Sequence, residues 1–132
     1  MSDIISGIHH VSMKCSGSEN FDKTVSFYRD ILGLSVKRSW GDGDGRGIML
    51  DAGNGLIEIF ASGSASENTG SVNHFAFAVD DTDAAVSAIK NAGYKITLEP
   101  KDIEIPSEPP FPAWIAFCIG PCGEEIELFH EK

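Results

Sequence analysis

Two histidines and two glutamates recur at matching places in the two halves of the chain. They are His10 and Glu58 in the first half, and His74 and Glu127 in the second. Each histidine stands in an alternating run near the start of its half, and each glutamate stands in an apolar run at the end of its half. Two imidazoles and two carboxylates are a ligand set suited to Zn, Ni, Co, Mn or Fe(II). The repeat therefore favours a divalent-metal site.

Taken singly, each of these residues has an ordinary interpretation. A lone Glu in a strand is typical of the solvent side of a sheet, and a lone His is typical of surface or core. Glu58 and Glu127, however, lie within apolar runs, where a carboxylate is costly unless it is paired or coordinated. Two carboxylates would also balance the charge of a dication, which could then polarise oxygens and stabilise an enediolate.

The elements that must position these residues follow the same order in both halves: strand, helix, strand, strand, strand. In the first half we expect strands at 7–15, 34–40, 47–51 and 56–61, with a helix from about 18 to Gly33. In the first strand, alternation places His10, Ser12 and Lys14 on one face. His9 would then point away from His10 and be structural.

In the second half we expect strands at 72–79, 94–98, 113–119 and 124–130 and a helix capped within Asp80-Asp81-Thr82 and ended by Gly93. The segment 99–112 holds all but one of the six prolines, which predicts a loop. His130 lies beyond the last apolar pair and is not expected to be a ligand. In a βαβββ unit the first and last strands can be neighbours, so each half could offer one His and one Glu on one face.

These elements predict an α+β fold with two βαβββ modules in a single domain over residues 1–132. Module 1 spans about 5–62, a Gly- and Ser-rich linker about 63–71, and module 2 about 72–132. A chain of 132 residues that is 42% hydrophobic is long enough for one core.

Charge and cysteine content exclude several classes of protein. The formal net charge of −10 argues against nucleic-acid and anionic-membrane partners, since both require basic surface. Three cysteines without a C-x-x-C pair predict neither a disulfide framework nor a zinc knuckle, which fits a reducing cytoplasm. We find no secretory signal and no apolar run long enough to span a membrane.

Four motifs together resemble the vicinal oxygen chelate superfamily, the group of glyoxalase I, bleomycin-resistance proteins and extradiol dioxygenases. The motifs are His10-Val11-Ser12-Met13, Phe27-Tyr28-Arg29-Asp30-Ile31-Leu32-Gly33-Leu34, His74-Phe75-Ala76-Phe77-Ala78-Val79-Asp80 and Gly120-Pro121-Cys122-Gly123-Glu124-Glu125-Ile126-Glu127-Leu128. The resemblance implies that the paired modules form an open, cup-shaped mixed sheet around a metal. It also implies a homodimer whose ligands come from one chain or from two.

By the same resemblance, His10, Glu58, His74 and Glu127 match all four metal positions of glyoxalase I. The implied reaction converts the hemithioacetal of a 2-oxoaldehyde and a thiol, such as glutathione, into a 2-hydroxyacyl thioester through an enediolate. Glu127 or Glu58 would move the proton. One divalent ion would serve each site.

Six further residues are candidates for the substrate pocket: Lys14, Ser62, Ala76, Ala78, Phe111 and Trp114. The resemblance implies Lys14 and Ser62, although bacterial glyoxalase I has Arg and Asn there. The two alanines share the face of His74 and are small enough to leave room for a ligand. Phe111 and Trp114 accompany the proline-rich segment, as part of a lid or of an interface.

Three alternative functions stay open. An extradiol dioxygenase would use His10, His74 and Glu127 as an iron triad. A related epimerase would usually have Gln in place of Glu58. A non-catalytic small-molecule-binding or resistance protein often lacks the metal ligands altogether.

Overall fold

The structure is a computed structural model that describes residues 8–63, 74–105 and 109–132. The first half contains β1 (His10–Lys14), α1 (Ser18–Ser26), a π-helical turn (Phe27–Ile31), β2 (Ser35–Trp40), a 3-10 turn (Gly43–Gly45), β3 (Gly47–Asp51) and β4 (Leu56–Phe60). The second half contains β5 (Phe75–Ala78), α2 (Thr82–Asn91), β6 (Ile96–Ile105), β7 (Phe111–Ile119) and β8 (Glu125–Glu131).

The chain divides into two compact units, Met1–Ala65 and Ser66–Lys132. Each unit holds one helix and a four-stranded mixed sheet, with strand order β1-β4-β3-β2 in unit 1 and β5-β8-β7-β6 in unit 2. The first and last strands of each unit pair in parallel, whereas the other pairs are antiparallel. This architecture confirms the α+β class and the two βαβββ modules.

The predicted linker between the two modules falls mostly outside the described residues. The predicted linker, 63–71, lies outside the described residues except for Gly63, and so do residues 72 and 73 of the predicted strand 72–79. The assignment of both modules to one domain over 1–132 stays a prediction.

In unit 1, the helix covers one face of the sheet, and His10 lies on the other face. On the helix side, Tyr28 donates its hydroxyl to Met13 Sδ at 3.8 Å, and Cys15 Sγ donates to Thr24 Oγ1 at 3.5 Å. Tyr28 is fully buried. Because successive strand residues point to opposite faces, Met13 and Cys15 turn His10 and its same-face neighbours away from the helix.

The structure corrects the predicted loop 99–112 in unit 2. β6 continues to Ile105 and β7 begins at Phe111, so most of the predicted loop belongs to these two strands; residues 106–108 lie outside the described residues. Pro100 is tolerated because β6 is an edge strand, and because the register with β7 shifts between Leu98 and Lys101. At such an irregular edge position the missing N–H of proline costs no regular ladder bond.

In unit 2, α2 is capped as predicted: the Asp81 carboxylate accepts a hydrogen bond from the Ala84 N–H at 3.0 Å. Gly93 follows the helix with a φ of 89°, a conformation that glycine adopts without strain. Val86 and Ile89 of this helix are buried. None of the helices within the described ranges is long and apolar enough to cross a membrane.

Candidate metal centre

His10 and Glu58 form a close pair in unit 1. The parallel register places Glu58 opposite Ser12, so His10 is its diagonal neighbour on the same face of the sheet. His10 Nε2 lies 3.4 Å from Glu58 Oε1. Glu58 is only 9% exposed, whereas the His10 side chain is more open. In this pair, a largely buried carboxylate therefore contacts an accessible imidazole.

His74 and Glu127 form the equivalent pair in unit 2. Here Ala76 is opposite Glu127, and His74 stands two residues before Ala76, directly before β5, as His10 stands two residues before Ser12. His74 Nε2 lies 3.2 Å from Glu127 Oε1, and Glu127 is also 9% exposed. The His74 ring packs edge-on against Phe117, with ring centroids 5.1 Å apart.

The donor atoms of each pair fit two adjacent ligands of one divalent ion. With metal–ligand bonds of about 2.1 Å and angles between octahedral and tetrahedral values, two such donors lie about 3.0–3.4 Å apart. The observed separations of 3.4 Å and 3.2 Å match that range. Within residues 8–63, 74–105 and 109–132, no group of three or more His, Cys, Asp or Glu side chains is arranged for a metal. Each unit thus presents one histidine–glutamate pair.

His9 differs from its expected place. Its Nδ1 lies 2.9 Å from His10 Nδ1, and the two rings meet edge to face with centroids 5.2 Å apart. The prediction that His9 points away from His10 was wrong because β1 begins only at His10, so strand alternation does not apply to His9. His10 therefore directs one ring nitrogen to Glu58 and the other to His9.

His130 has a different partner, as expected for a residue that is not a ligand. Its Nδ1 lies 3.0 Å from the Val79 carbonyl oxygen. In β8 it alternates with Phe129 and Glu131 and so lies on the face opposite Glu127.

In unit 1, Lys14 lies on the Glu58 face of the sheet, and Ser62 lies just beyond β4. Lys14 pairs with Phe60 in the β1–β4 register, and both share the face of Glu58. Lys14 is exposed, and Ser62 follows two residues after Phe60 and forms an isolated bridge with Ser16. Their predicted pocket roles stay predictions.

In unit 2, three of the four predicted pocket residues share the face of Glu127. Ala76 and Ala78 are exposed there, and Phe111 contacts Phe129 with ring centroids 6.0 Å apart. The small alanines leave the surface open next to His74.

Trp114 is the exception among the predicted pocket residues. The β7–β8 register pairs Phe117 with Glu127 and Trp114 with His130, which places Trp114 on the opposite face of the sheet. Its indole N–H donates to Asp83 Oδ1 of α2 at 3.3 Å. The structure does not bring Trp114 together with Glu127. The prediction grouped Trp114 with Phe111 and the proline-rich segment, although the predicted strand 113–119 includes Trp114.

Four residues of β2 and β3 also lie on the Glu58 face, and sequence reasoning missed them. Across the neighbouring strands β4, β3 and β2, Glu58 is paired with Met49 and Met49 with Arg38. In the same way, Phe60 is paired with Gly47 and Gly47 with Trp40. Arg38 donates to Met49 Sδ at 3.5 Å, and Met49 is buried. The sequence signal that could have identified Met49 and Gly47 is the regular alternation of β3 and β4 across their hairpin. It did not extend to β2, because the register shifts between Val36 and Arg38.

A cavity of about 630 Å³ in unit 1 lies elsewhere, between α1 and the β2–β3 end of the sheet. Its lining includes Asp22, Arg29, Arg46 and the edge residue Trp40, but neither His10 nor Glu58. Arg46 is bound to Asp22 at 2.9 Å, and Arg29 to Asp30 at 2.8 Å. Because these charges already have partners, we assign the chemistry to the histidine–glutamate face instead.

Comparison with known proteins agrees with the fold. A probable lactoylglutathione lyase of Vibrio cholerae is 30% identical over 121 residues, covering 86% of this chain and 84% of the relative. The trypanothione-dependent glyoxalase I of Leishmania major superposes with a TM-score of 0.67 at 22% identity, covering 92% of this chain and 84% of that one.

An antibiotic binding protein from Streptomyces superposes with a TM-score of 0.72 at 19% identity, covering 97% of this chain and 98% of that one. At such identities the two structural matches show the fold alone. The family model of the glyoxalase/bleomycin resistance protein/dioxygenase superfamily matches residues 7–128. The resemblance seen in the sequence motifs is thus confirmed, and the chain belongs to the glyoxalase/bleomycin resistance protein/dioxygenase superfamily.

Proposed function

We propose that this protein is a divalent-metal-dependent, glyoxalase I-like lyase. One observation carries the proposal: a histidine and a buried glutamate stand at the same diagonal position in both units, 3.4 Å and 3.2 Å apart. Burying a carboxylate disfavours folding unless the carboxylate has a partner, so two buried glutamates at equivalent positions indicate selection for a ligand. The similarity to a probable lactoylglutathione lyase supports the same activity.

The proposed ligand set consists of His10, Glu58, His74 and Glu127, two residues from each unit. Imidazole and carboxylate suit Zn, Ni, Co, Mn or Fe(II), and four protein ligands leave positions open on a six-coordinate ion. When bound, the ion would supply Lewis acidity that polarises two adjacent oxygens of the substrate. We further propose that the protein acts on a small-molecule substrate and forms a homodimer.

The role of the glutamates is to move a proton along the substrate. In a hemithioacetal, the carbon that bears sulfur gives up its proton to a carboxylate, and the neighbouring carbonyl carbon receives a proton back. The hydroxyl on the first carbon becomes the thioester carbonyl, while the second carbonyl becomes a hydroxyl. The reaction is an internal isomerisation and needs no oxidant. Glu127 or Glu58 serves as the base, since burial protects the transferred proton from exchange with water.

Glu58 favours this reaction over the dioxygenase alternative. A diol-cleaving iron site needs free positions for both the diol and oxygen, and it uses three protein ligands. The 3.4 Å contact between Glu58 Oε1 and His10 Nε2 supports Glu58 as a fourth ligand. The presence of Glu rather than Gln at this position also argues against the related epimerases.

The test is to supply methylglyoxal with glutathione, or with other thiols, to protein loaded with Ni or Zn. The proposal predicts thioester formation, followed by its absorbance, and loss of this activity in Glu127→Gln. Oxygen uptake with catechols and no thioester with any thiol would instead identify a dioxygenase. A protein that binds drug-like ligands but takes up no metal would be a binding protein.

A further inference from the structure

We propose that the Glu58 face of unit 1 recognises a substrate that carries a carboxylate, held by Arg38, and a flat apolar group, held by Trp40 and Phe60. This inference rests on the proposed function and narrows its substrate class. It favours hemithioacetals of aromatic 2-oxoaldehydes with carboxylate-bearing thiols over small, uncharged ones.

The charge of Arg38 is the first argument. The chain has three arginines, and the other two, Arg29 and Arg46, are bound to aspartates at 2.8 Å and 2.9 Å. In the described part of the chain, Arg38 forms no ion pair with a carboxylate, although acids outnumber bases by 20 to 10. Its guanidinium instead lies on Met49, the residue between it and Glu58. Such a cation is available for a ligand carboxylate.

The aromatic residues beside Arg38 are the second argument. Trp40 and Phe60 meet at a ring-centroid distance of 5.9 Å and an interplanar angle of 66°. The indole of Trp40 lies so close over Gly47 that a Cβ there would overlap the ring. Trp40 nevertheless stays 37% exposed. A large exposed aromatic surface held in place by its neighbours is typical of a ligand contact.

Strand geometry gives the distances that a ligand must span between Glu58, Arg38 and Trp40. Arg38 is two strands from Glu58, or about 10 Å at the usual strand spacing. Trp40 is two residues beyond Arg38 on the same face, about 7 Å along the strand. A substrate that reacts near Glu58 therefore reaches both residues if it carries a carboxylate arm of several bonds and a ring.

A binding experiment tests this independently of turnover. The probe is 3-(benzylthio)propanoate, an unreactive thioether with one carboxylate and one benzyl group, measured by calorimetry. We expect Arg38→Met and Trp40→Leu each to weaken binding about tenfold. Trp40→Phe should restore most of it. Lys37→Met, which removes the same charge from the adjacent exposed position in β2, should leave binding unchanged.

Trp114→Phe provides the control for location. It leaves Trp40 as the sole tryptophan of the two in the chain, so probe binding should change the indole fluorescence of that variant. Equal weakening in Lys37→Met and Arg38→Met, or unaltered Trp40 fluorescence at saturation, would overturn the inference.

Turnover separates this inference from the proposed function. If the probe binds as described but no hemithioacetal is converted, the proposed function fails and the recognition site stands. If hemithioacetals are converted and kcat/KM for phenylglyoxal with 3-mercaptopropionate equals that for methylglyoxal with cysteamine, the recognition site is wrong. We expect the first pair to be favoured at least tenfold in the wild type, and Arg38→Met to remove most of that preference.

Discussion

His9 Nδ1 lies 2.9 Å from His10 Nδ1, on the side of the His10 ring opposite the nitrogen that faces Glu58. If His10 binds a metal through Nε2, its Nδ1 carries the proton and donates it to His9 Nδ1. A metal-binding histidine usually donates its second ring N–H to such a partner, which fixes the tautomer and the ring orientation. We therefore expect His9 to act as a positioning residue for His10.

Replacing His9 tests this role. We expect His9→Phe to reduce metal affinity about tenfold, because the acceptor for the His10 N–H is lost. His9→Gln should keep most of the affinity, since its amide oxygen can accept the same bond. Competition with a chromophoric chelator measures the affinity, and ¹⁵N chemical shifts of the His10 ring report its tautomer. Identical affinities and ring shifts in all three proteins would show that His9 has no such role.

Replacing either buried glutamate should weaken metal binding and leave the stability of the metal-free protein nearly unchanged. In Glu58→Gln and Glu127→Gln we expect metal affinity to fall at least tenfold, and by similar factors because the two pairs are equivalent. The metal-free variants should keep their unfolding free energy within about 1 kcal/mol, since an amide replaces a buried carboxylate of the same shape. Chelator competition and urea unfolding of the metal-free protein measure the two effects. A large loss of stability without loss of affinity would mean that the glutamates are structural.

Gly47 should be intolerant of a side chain because the Trp40 indole occupies that space. Gly47→Ala forces the indole to move, and we expect a loss of about 1–3 kcal/mol in unfolding free energy, as for an overpacked site. The matched control is Gly45→Ala in the preceding turn, where an added Cβ would meet nothing within 4 Å. Urea unfolding compares the two variants. Equal stability in both would contradict the packing of Trp40 over Gly47.

Cys118 should make the fold sensitive to alkaline pH. Burial raises the pKa of this thiol to about 11, with a further contribution from the charge of Glu124. Between pH 9 and about pH 11 the unfolded chain loses the thiol proton while the folded chain keeps it, so the unfolding free energy falls as pH rises through this window. Below pH 9 the thiol is protonated in both states and contributes no pH dependence.

Cys118→Ala is the variant that tests this pH dependence. It should flatten the fall of unfolding free energy, measured by urea unfolding at a series of pH values, by no more than about 3 kcal/mol. The slopes are compared rather than the absolute stabilities, because the shorter side chain also alters packing. A slope identical to that of the wild type would assign the alkaline sensitivity to other groups.

Regular patterns in the sequence were sufficient to predict the fold and the members of each histidine–glutamate pair. Apolar alternation and the repeated order of elements predict both mixed sheets, and parallel pairing of first and last strands brings His10 beside Glu58. The same logic brings His74 beside Glu127.

Local irregularities account for what was missed. Pro100 predicts a loop by composition, yet an edge position and a register shift allow β6 to continue through it. The face of Trp114 depends on where β7 starts, and the place of Arg38 on an irregular register in β2. His9 lies one residue before its strand, where no periodicity applies. Each of these outcomes depends on tertiary pairing that a single sequence does not encode in its periodicity.

Metal stoichiometry is the most direct test of the proposed site. Protein purified without chelators is dialysed against Ni or Zn, and the bound ion is measured by elemental analysis. Four ligands per chain predict one ion per chain, whether the ligands come from one chain or are shared between two. The double variant, Glu58→Gln with Glu127→Gln, should bind far less metal. Wild-type protein that takes up no divalent ion, or a double variant that binds as much as wild type, would contradict the proposed centre.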